Sequence, residues 1–192
     1  MEVSLRLRPL LNQFVFARDR LLARVAGMTD AEYLREPVPG CWSIRPRGDI
    51  PADRAYGGGP WVVEFTRPEP DPPPFTTLAW RLCHLASGML QRADYTVGAH
   101  AMTRADYVVP ATAVDGIASL TTACAAWHDV LTVTTDADLD QIGRCQFPQG
   151  LDPTVPFWQT IWWVNQELLH HGAEIALLRD LYRAAPHEGR AA

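Results

Sequence analysis

The chain has 192 residues, of which 47% are hydrophobic and 20% charged, a length and balance that fit one domain, residues 1–192, with a sizeable buried core. Its formal net charge of -5, without any basic run, argues against nucleic acid or an anionic membrane surface as the main partner. Charged or polar residues interrupt every apolar stretch before the roughly 20 residues a membrane span needs, and the charged N-terminus lacks a signal peptide's apolar core, so a cytoplasmic location is expected.

From Ser4 to Val25 the residues Leu7, Leu10, Leu11, Phe14, Val15, Leu21, Leu22 and Val25 recur at helical steps, with Arg18 the one polar member of the series. This predicts an amphipathic helix that stops at Gly27. Thr29 followed by Glu32 reads as a capping box for a short helical piece ending before Pro37. Between Pro37 and Phe75 stand ten of the sixteen prolines and the triplet Gly57, Gly58 and Gly59, which exclude continuous helix. Within this stretch Trp61–Phe65 reads as a short strand or extended cover, with Cys41–Ile44 its partner. A connection this long in a compact domain is usually functional, and 37–75 is expected to form a lid over one end of the helices.

Thr76 or Thr77 can cap a second long helix from Leu78 to Val97, ending near Gly98, with an apolar stripe of Leu78, Leu82, Leu85 and Met89. A third is predicted over Val114 to Thr134, followed by a polar connection from Asp136 to Asp152. The fourth begins at Asp152-Pro153-Thr154-Val155-Pro156, where proline's missing amide proton costs little, and runs to about Ala185 before Pro186. With no sheet-forming repeat, the expected class is all-α: an antiparallel four-helix bundle with a long Pro/Gly-rich excursion after the first helix.

Cys41, Cys83, Cys124 and Cys145 lack CxxC spacing and read as buried thiols rather than a disulfide frame or structural zinc site. Trp80, Trp158, Trp162 and Trp163 are expected to pack the bundle or a homodimer face, while Trp42 and Trp61 are candidates for stacking on a ligand. Arg45, Arg47, Arg54 and Arg67 in the long connection can bind a carboxylate of a thiol cofactor or substrate, or serve as solvated surface charge.

The fourth helix carries the strongest chemical signal. Phe157, Ile161, Val164, Leu168, His171, Ile175, Leu178 and Tyr182 alternate at intervals of four and three, a heptad seam that places His171 where every other member is apolar or aromatic. His171 is therefore expected to be buried, and His170, about 100° around the helix, is not. Glu167 and Glu174 lie one turn to either side of His171. A carboxylate buried beside an imidazole needs a proton, a hydrogen-bond network or a metal ion to offset its desolvation. On the second helix, His84 stands among apolar residues and is followed by the small Ala86, Ser87 and Gly88. Two imidazoles and one carboxylate, His84, Glu167 and His171, suit zinc with an open position and also non-haem iron(II). Without a metal, His171 is a core histidine hydrogen-bonded to Glu167 or a tyrosine. His170 and Glu174 are either orienting partners of the ligands or a solvated pair.

WVNQELLHHGAEIALLRDLY at Trp163 to Tyr182, PFTTLAWRLCHLASGML at Pro74 to Leu90 and PGCWSIRPRGD at Pro39 to Asp49 resemble the DinB-like superfamily of metal-binding four-helix bundles, over nearly the whole chain. The resemblance implies kinship with mycothiol- and bacillithiol-dependent enzymes and a site of one histidine on the second helix plus an HxxxH pair on the last. His84 and His171 match it; Glu167 replaces the family's remaining histidine. The site is then either kept with an altered metal preference or lost. The implied cofactors are a divalent metal (zinc, nickel or iron) and a low-molecular-weight thiol; an all-arginine set of 17 basic residues, typical of GC-rich coding, weights that thiol toward mycothiol. The expected function is metal-dependent thiol S-transfer or isomerisation of a small-molecule substrate. The alternatives are a metal-dependent hydrolase with Glu174 or Glu167 as base, and a non-catalytic dimeric binding module with a decayed metal site.

Overall fold

A computed structural model describes residues 4–185. Pro186, expected to stop the last helix, lies outside the described residues.

The first helix, α1 (Arg8–Val25), turns its Phe14, Ala17, Leu21 and Val25 face inward and ends at Gly27, whose φ of +67° is the left-handed conformation glycine adopts without strain. Thr29 caps α2 (Asp30–Tyr33) by accepting from the Glu32 amide. The capping box is only half formed. Glu32 does not reach back to the cap, because its carboxylate is buried against Arg179.

The Pro/Gly-rich connection forms a three-stranded antiparallel sheet of β1 (Ile44–Pro46), β2 (Ala55–Tyr56) and β3 (Trp61–Glu64), in the order β1-β3-β2. The chain is mostly helical, broadly consistent with the all-α expectation, and this small sheet is the exception to it. The expected pairing of Cys41–Ile44 holds only at its end: the Ser43 carbonyl accepts from the Glu64 amide at 3.0 Å and Ile44 lies opposite Val63, but the strand runs on to Pro46 opposite Trp61. Trp42 is committed elsewhere, since its amide donates to the Phe75 carbonyl at 2.8 Å and its carbonyl accepts from Thr77 at 2.9 Å, which ties the two ends of the connection together. Proline in β1 is tolerated because that strand is an edge. The two-residue β2 is too short to leave a sequence pattern.

The next long helix, α3 (Leu78–Val97), starts where the Thr77 side chain accepts from the Trp80 amide at 3.2 Å. Then come α4 (Ala113–Val133), capped by Thr112, and α5 (Asp136–Asp140), a single capped turn inside the segment read as a plain polar connection. Its Thr135–Asp138 capping box is the signal that reading overlooked. The last helix, α6 (Phe157–Ala184), buries Phe157, Ile161, Val164, Leu168 and Ile175 of the heptad seam. Each of the four long helices packs on two others, α1 and α3 both against α4 and α6. Their shared interior holds Phe14, Leu82, Leu120, Trp127, Phe157 and Ile161, all at most 1% exposed. No helix among the described residues is long and apolar enough to cross a membrane.

Candidate metal centre

Helices α3 and α6 pack against each other, and their facing surfaces bring His84, Glu167 and His171 together. On α6, His171 lies between the buried Leu168 and Ile175 of the seam and keeps only 13% of its side chain exposed. Glu167 stands one turn earlier on the same face. On α3, the Trp80 indole stacks on the His84 imidazole, the rings 5.0 Å apart and 9° from parallel. Trp80 is itself fixed by its Nε1–H, which donates to the Glu64 carbonyl of β3 at 2.7 Å. The sheet thereby fixes, through Trp80, the ring that stacks on His84.

His84 Nε2 lies 3.0 Å from Glu167 Oε2, and His171 Nε2 lies 3.4 Å from the same oxygen. The two imidazoles meet edge to face with centroids 4.9 Å apart. One donor atom from each of the three residues falls within 4.8 Å of the others, an arrangement that could hold a metal ion. Ligand atoms about 2.1 Å from a tetrahedral ion stand about 3.4 Å apart, close to the 3.0 and 3.4 Å that separate the two Nε2 atoms from Glu167 Oε2. The replacement of a histidine by Glu167 therefore leaves the donor set physically competent.

The protonation states agree with that fit. Burial pushes the Glu167 carboxyl up, but hydrogen bonds from His171 and His84 and their charges outweigh it, and the group is held well below the usual carboxylate range. Burial lowers the His84 imidazole, and the hydrogen bond to Glu167 only partly offsets this. An ionised carboxylate and a neutral ring are the forms that bind metal.

Around these three lies a supporting set. His171 Nδ1 is 2.7 Å from Glu174 Oε2, and Arg81, one turn before His84, lies 2.9 Å from that nitrogen and also bonds the Glu174 carboxylate. Nδ1–H donation to Glu174 is the tautomer that would free Nε2 for a metal in place of its hydrogen bond to Glu167, whereas acceptance from Arg81 goes with Nε2–H. Glu174 thus takes part in both expected arrangements, one oxygen against His171 Nδ1 and the other 3.4 Å from His170 Nε2 in a part-exposed pair. His170 is mostly exposed and stacks on the His171 ring at 5.0 Å. Arg81 was missed in the sequence, although its spacing from His84 put both on one face of the helix. Cys83 points away from the cluster, its thiol 3.8 Å from the Tyr33 hydroxyl and pushed up to about 12 by burial.

His84 and Glu167 open onto a cleft of about 760 Å³ lined largely by apolar and aromatic side chains. Trp158, Trp162 and Trp163, expected to pack the bundle or a dimer face, line this cleft and stay 40%, 51% and 38% exposed. Trp42 exchanges roles with them: it is buried against Trp80 and Phe65 and cannot stack on a ligand. Of the arginines in the connection, Arg45 pairs with Glu36 and Glu64, Arg47 donates to the Gly57 and Gly59 carbonyls, Arg54 is exposed, and only Arg67 reaches the cleft. Arg92 spans the floor as a buried pair with Asp152, its guanidinium between the rings of Phe147 and Trp163 at 4.4 and 4.2 Å.

The sequence profile of the DinB superfamily matches residues 13–175, a span that contains all three candidate ligands and Glu174. The chain belongs to the DinB superfamily. No curated protein and no solved structure matches it significantly. Membership in the DinB superfamily agrees with the resemblance carried by the segments around His84 and His171, and with the metal-competent geometry of the cluster.

Proposed function

We propose that this DinB protein is an enzyme built on an antiparallel four-helix bundle, in which His84, Glu167 and His171 hold a divalent ion at the end of the aromatic cleft. The observation that carries this reading is the convergence of two imidazoles and one carboxylate at 3.0 and 3.4 Å beside a cavity large enough for a substrate. A divalent ion held there, zinc, nickel or iron(II), supplies Lewis acidity to a group of the substrate. The chain itself orients His171 through Glu174 and Arg81, orients His84 through Trp80, and shields the site with the 37–75 connection acting as a lid.

Within that frame the reaction is thiol S-transfer or a thiol-dependent isomerisation. In the transfer, the sulfur of a low-molecular-weight thiol such as mycothiol bonds to an electrophilic carbon, the S–H proton passes to solvent, and the leaving group departs with its electron pair. The hydrolytic alternative needs a carboxylate free to act as base. Glu167 is engaged by both histidines and Glu174 by Arg81 and His171, which favours the thiol reading. The test is thiol consumption by metal-loaded protein with an electrophilic acceptor. Loss of turnover in His171→Ala at unchanged fold supports the proposal, and full activity in that variant removes His171 from the mechanism.

A further inference from the structure

Seven arginine, histidine or acidic side chains line the cleft: Arg67, Glu69, His84, Arg92, Arg104, Asp152 and Glu167. Four of them are matched internally, Arg92 with Asp152 and His84 with Glu167. Among the described residues neither Arg67 nor Arg104 has a carboxylate at ion-pair distance, and Glu69, although it shares the cleft, contacts neither of them at that range. Both guanidinium groups instead gather on one ring, Arg104 at 4.3 Å and Arg67 at 5.7 Å from the centroid of Phe65, with Arg104 also 5.0 Å from Tyr56. Two unneutralised cations beside an aromatic wall leave the cleft with an excess of positive charge at this end.

The fold builds this position. Arg104 opens a one-turn helix whose Thr103–Asp106 capping box is complete. Gly58 lets the long connection lie directly against that turn, since a side chain there would come within 2.6 Å of the Ala105 carbonyl, and the Gly58 amide donates to Tyr107 at 2.7 Å. Beneath Arg104, the Tyr56 hydroxyl lies 3.3 Å from Ser87, one turn of α3 beyond His84. Through Tyr56, the arginine end therefore adjoins α3 one turn from His84, along the same cleft. Burial lowers the Arg104 guanidinium from its ordinary value; Tyr56 partly offsets this, and the charge of Arg67 lowers it further.

We propose that Arg67 and Arg104 form the anion-binding end of the cleft, and that its ligand is a small amphipathic anion. An oxyanion head group, carboxylate, sulfonate or phosphate, lies between the guanidinium groups, and an apolar body lies along Trp158, Trp162 and Trp163. This names the substrate class of the site in the preceding section, and it rests on that reading only for the reacting group being directed toward His84 and Glu167.

The experiment uses two dyes with the same aromatic body, 8-anilinonaphthalene-1-sulfonate and its uncharged counterpart N-phenyl-1-naphthylamine, titrated by fluorescence into the full chain after chelator treatment. The double variant Arg67→Gln/Arg104→Gln is expected to bind the sulfonate about tenfold more weakly or worse, and the amine unchanged. Salt is expected to weaken the sulfonate alone. Equal weakening of both dyes, or of neither, overturns the proposal. Arg67→Gln alone, at an exposed position, is expected to show a smaller loss of the same selectivity, and it carries the test should the double variant not fold. Since the titration uses metal-free protein, its failure leaves the metal centre standing, and a chain that never binds metal leaves this result unaffected.

Discussion

Helix α6 carries two clusters of charge that solve desolvation in opposite ways. Near its end, Arg179 and Glu32 are 1% and 4% exposed, joined at 2.5 and 3.0 Å, and Arg179 also donates to the carbonyls of Arg24 and Ala26. Two turns earlier, His171 and Glu167 meet His84, all three partly exposed, with a cleft on one side. The first cluster is closed: Arg179 makes four hydrogen bonds, two to the Glu32 carboxylate and two to backbone carbonyls, and both side chains are buried. The second is drawn together yet open, with donors arranged around a common point. The difference separates a charge pair that fixes a helix in place from a group arranged to receive a ligand.

Removing one partner from the closed pair gives the largest effect. Arg179→Met strands the Glu32 carboxylate in the interior and is expected to lower unfolding free energy by about 3–5 kcal/mol in urea denaturation. Adding Glu32→Leu to the same chain is expected to recover most of that loss, because the unpaired charge is then gone. Failure of the second change to recover stability would mean that the pair is not an isolated structural contact. Metal affinity measured on the folded fraction is expected to stay at the wild-type level in both.

An intermediate effect belongs to the shell of the open cluster. Glu174→Gln keeps the shape of the side chain and removes the charge that orients His171, and titration with zinc is expected to show about 10- to 100-fold weaker binding. Stability without metal is expected to change by less than that of Arg179→Met. Equal zinc affinity in variant and wild type would return Glu174 to a surface role.

The smallest effect is in pH. His84 and Glu167 both bind protons less readily in the folded chain than at their ordinary values of 6.5 and 4.5, so the unfolded chain takes up more protons as pH falls. Metal-free stability therefore declines on acidification, first below the ordinary histidine value through His84 and then below the carboxylate value through Glu167. Following the His84 ring by NMR is expected to give a midpoint below 6.5. A midpoint above it would show that the desolvation argued for this ring is wrong.

How much of this was legible depends on whether the signal lies within one element. The heptad run on α6 announced the position of His171, and the apolar setting of His84 announced the other side of the site, because helical periodicity is written in consecutive residues. Arg104 and Phe65 left no such trace, since they meet only after Gly58 docks the connection onto the turn before α4. The same limit explains the exchange of roles between Trp42 and the tryptophans of α6: which aromatic faces a cavity depends on where the sheet settles, and no local pattern encodes that. Glu32 shows the converse, a residue with a correct local motif whose side chain was taken by a stronger distant partner.

The most direct test of the central claim is the metal content of protein purified without chelator, measured by elemental analysis for wild type and the His84→Ala/His171→Ala double variant. One divalent ion per wild-type chain, absent from the double variant, is the expected result. Wild-type protein that carries no ion and gains no thermal stability when zinc, nickel or iron(II) is added would contradict the account and leave a non-catalytic binding module with a decayed site.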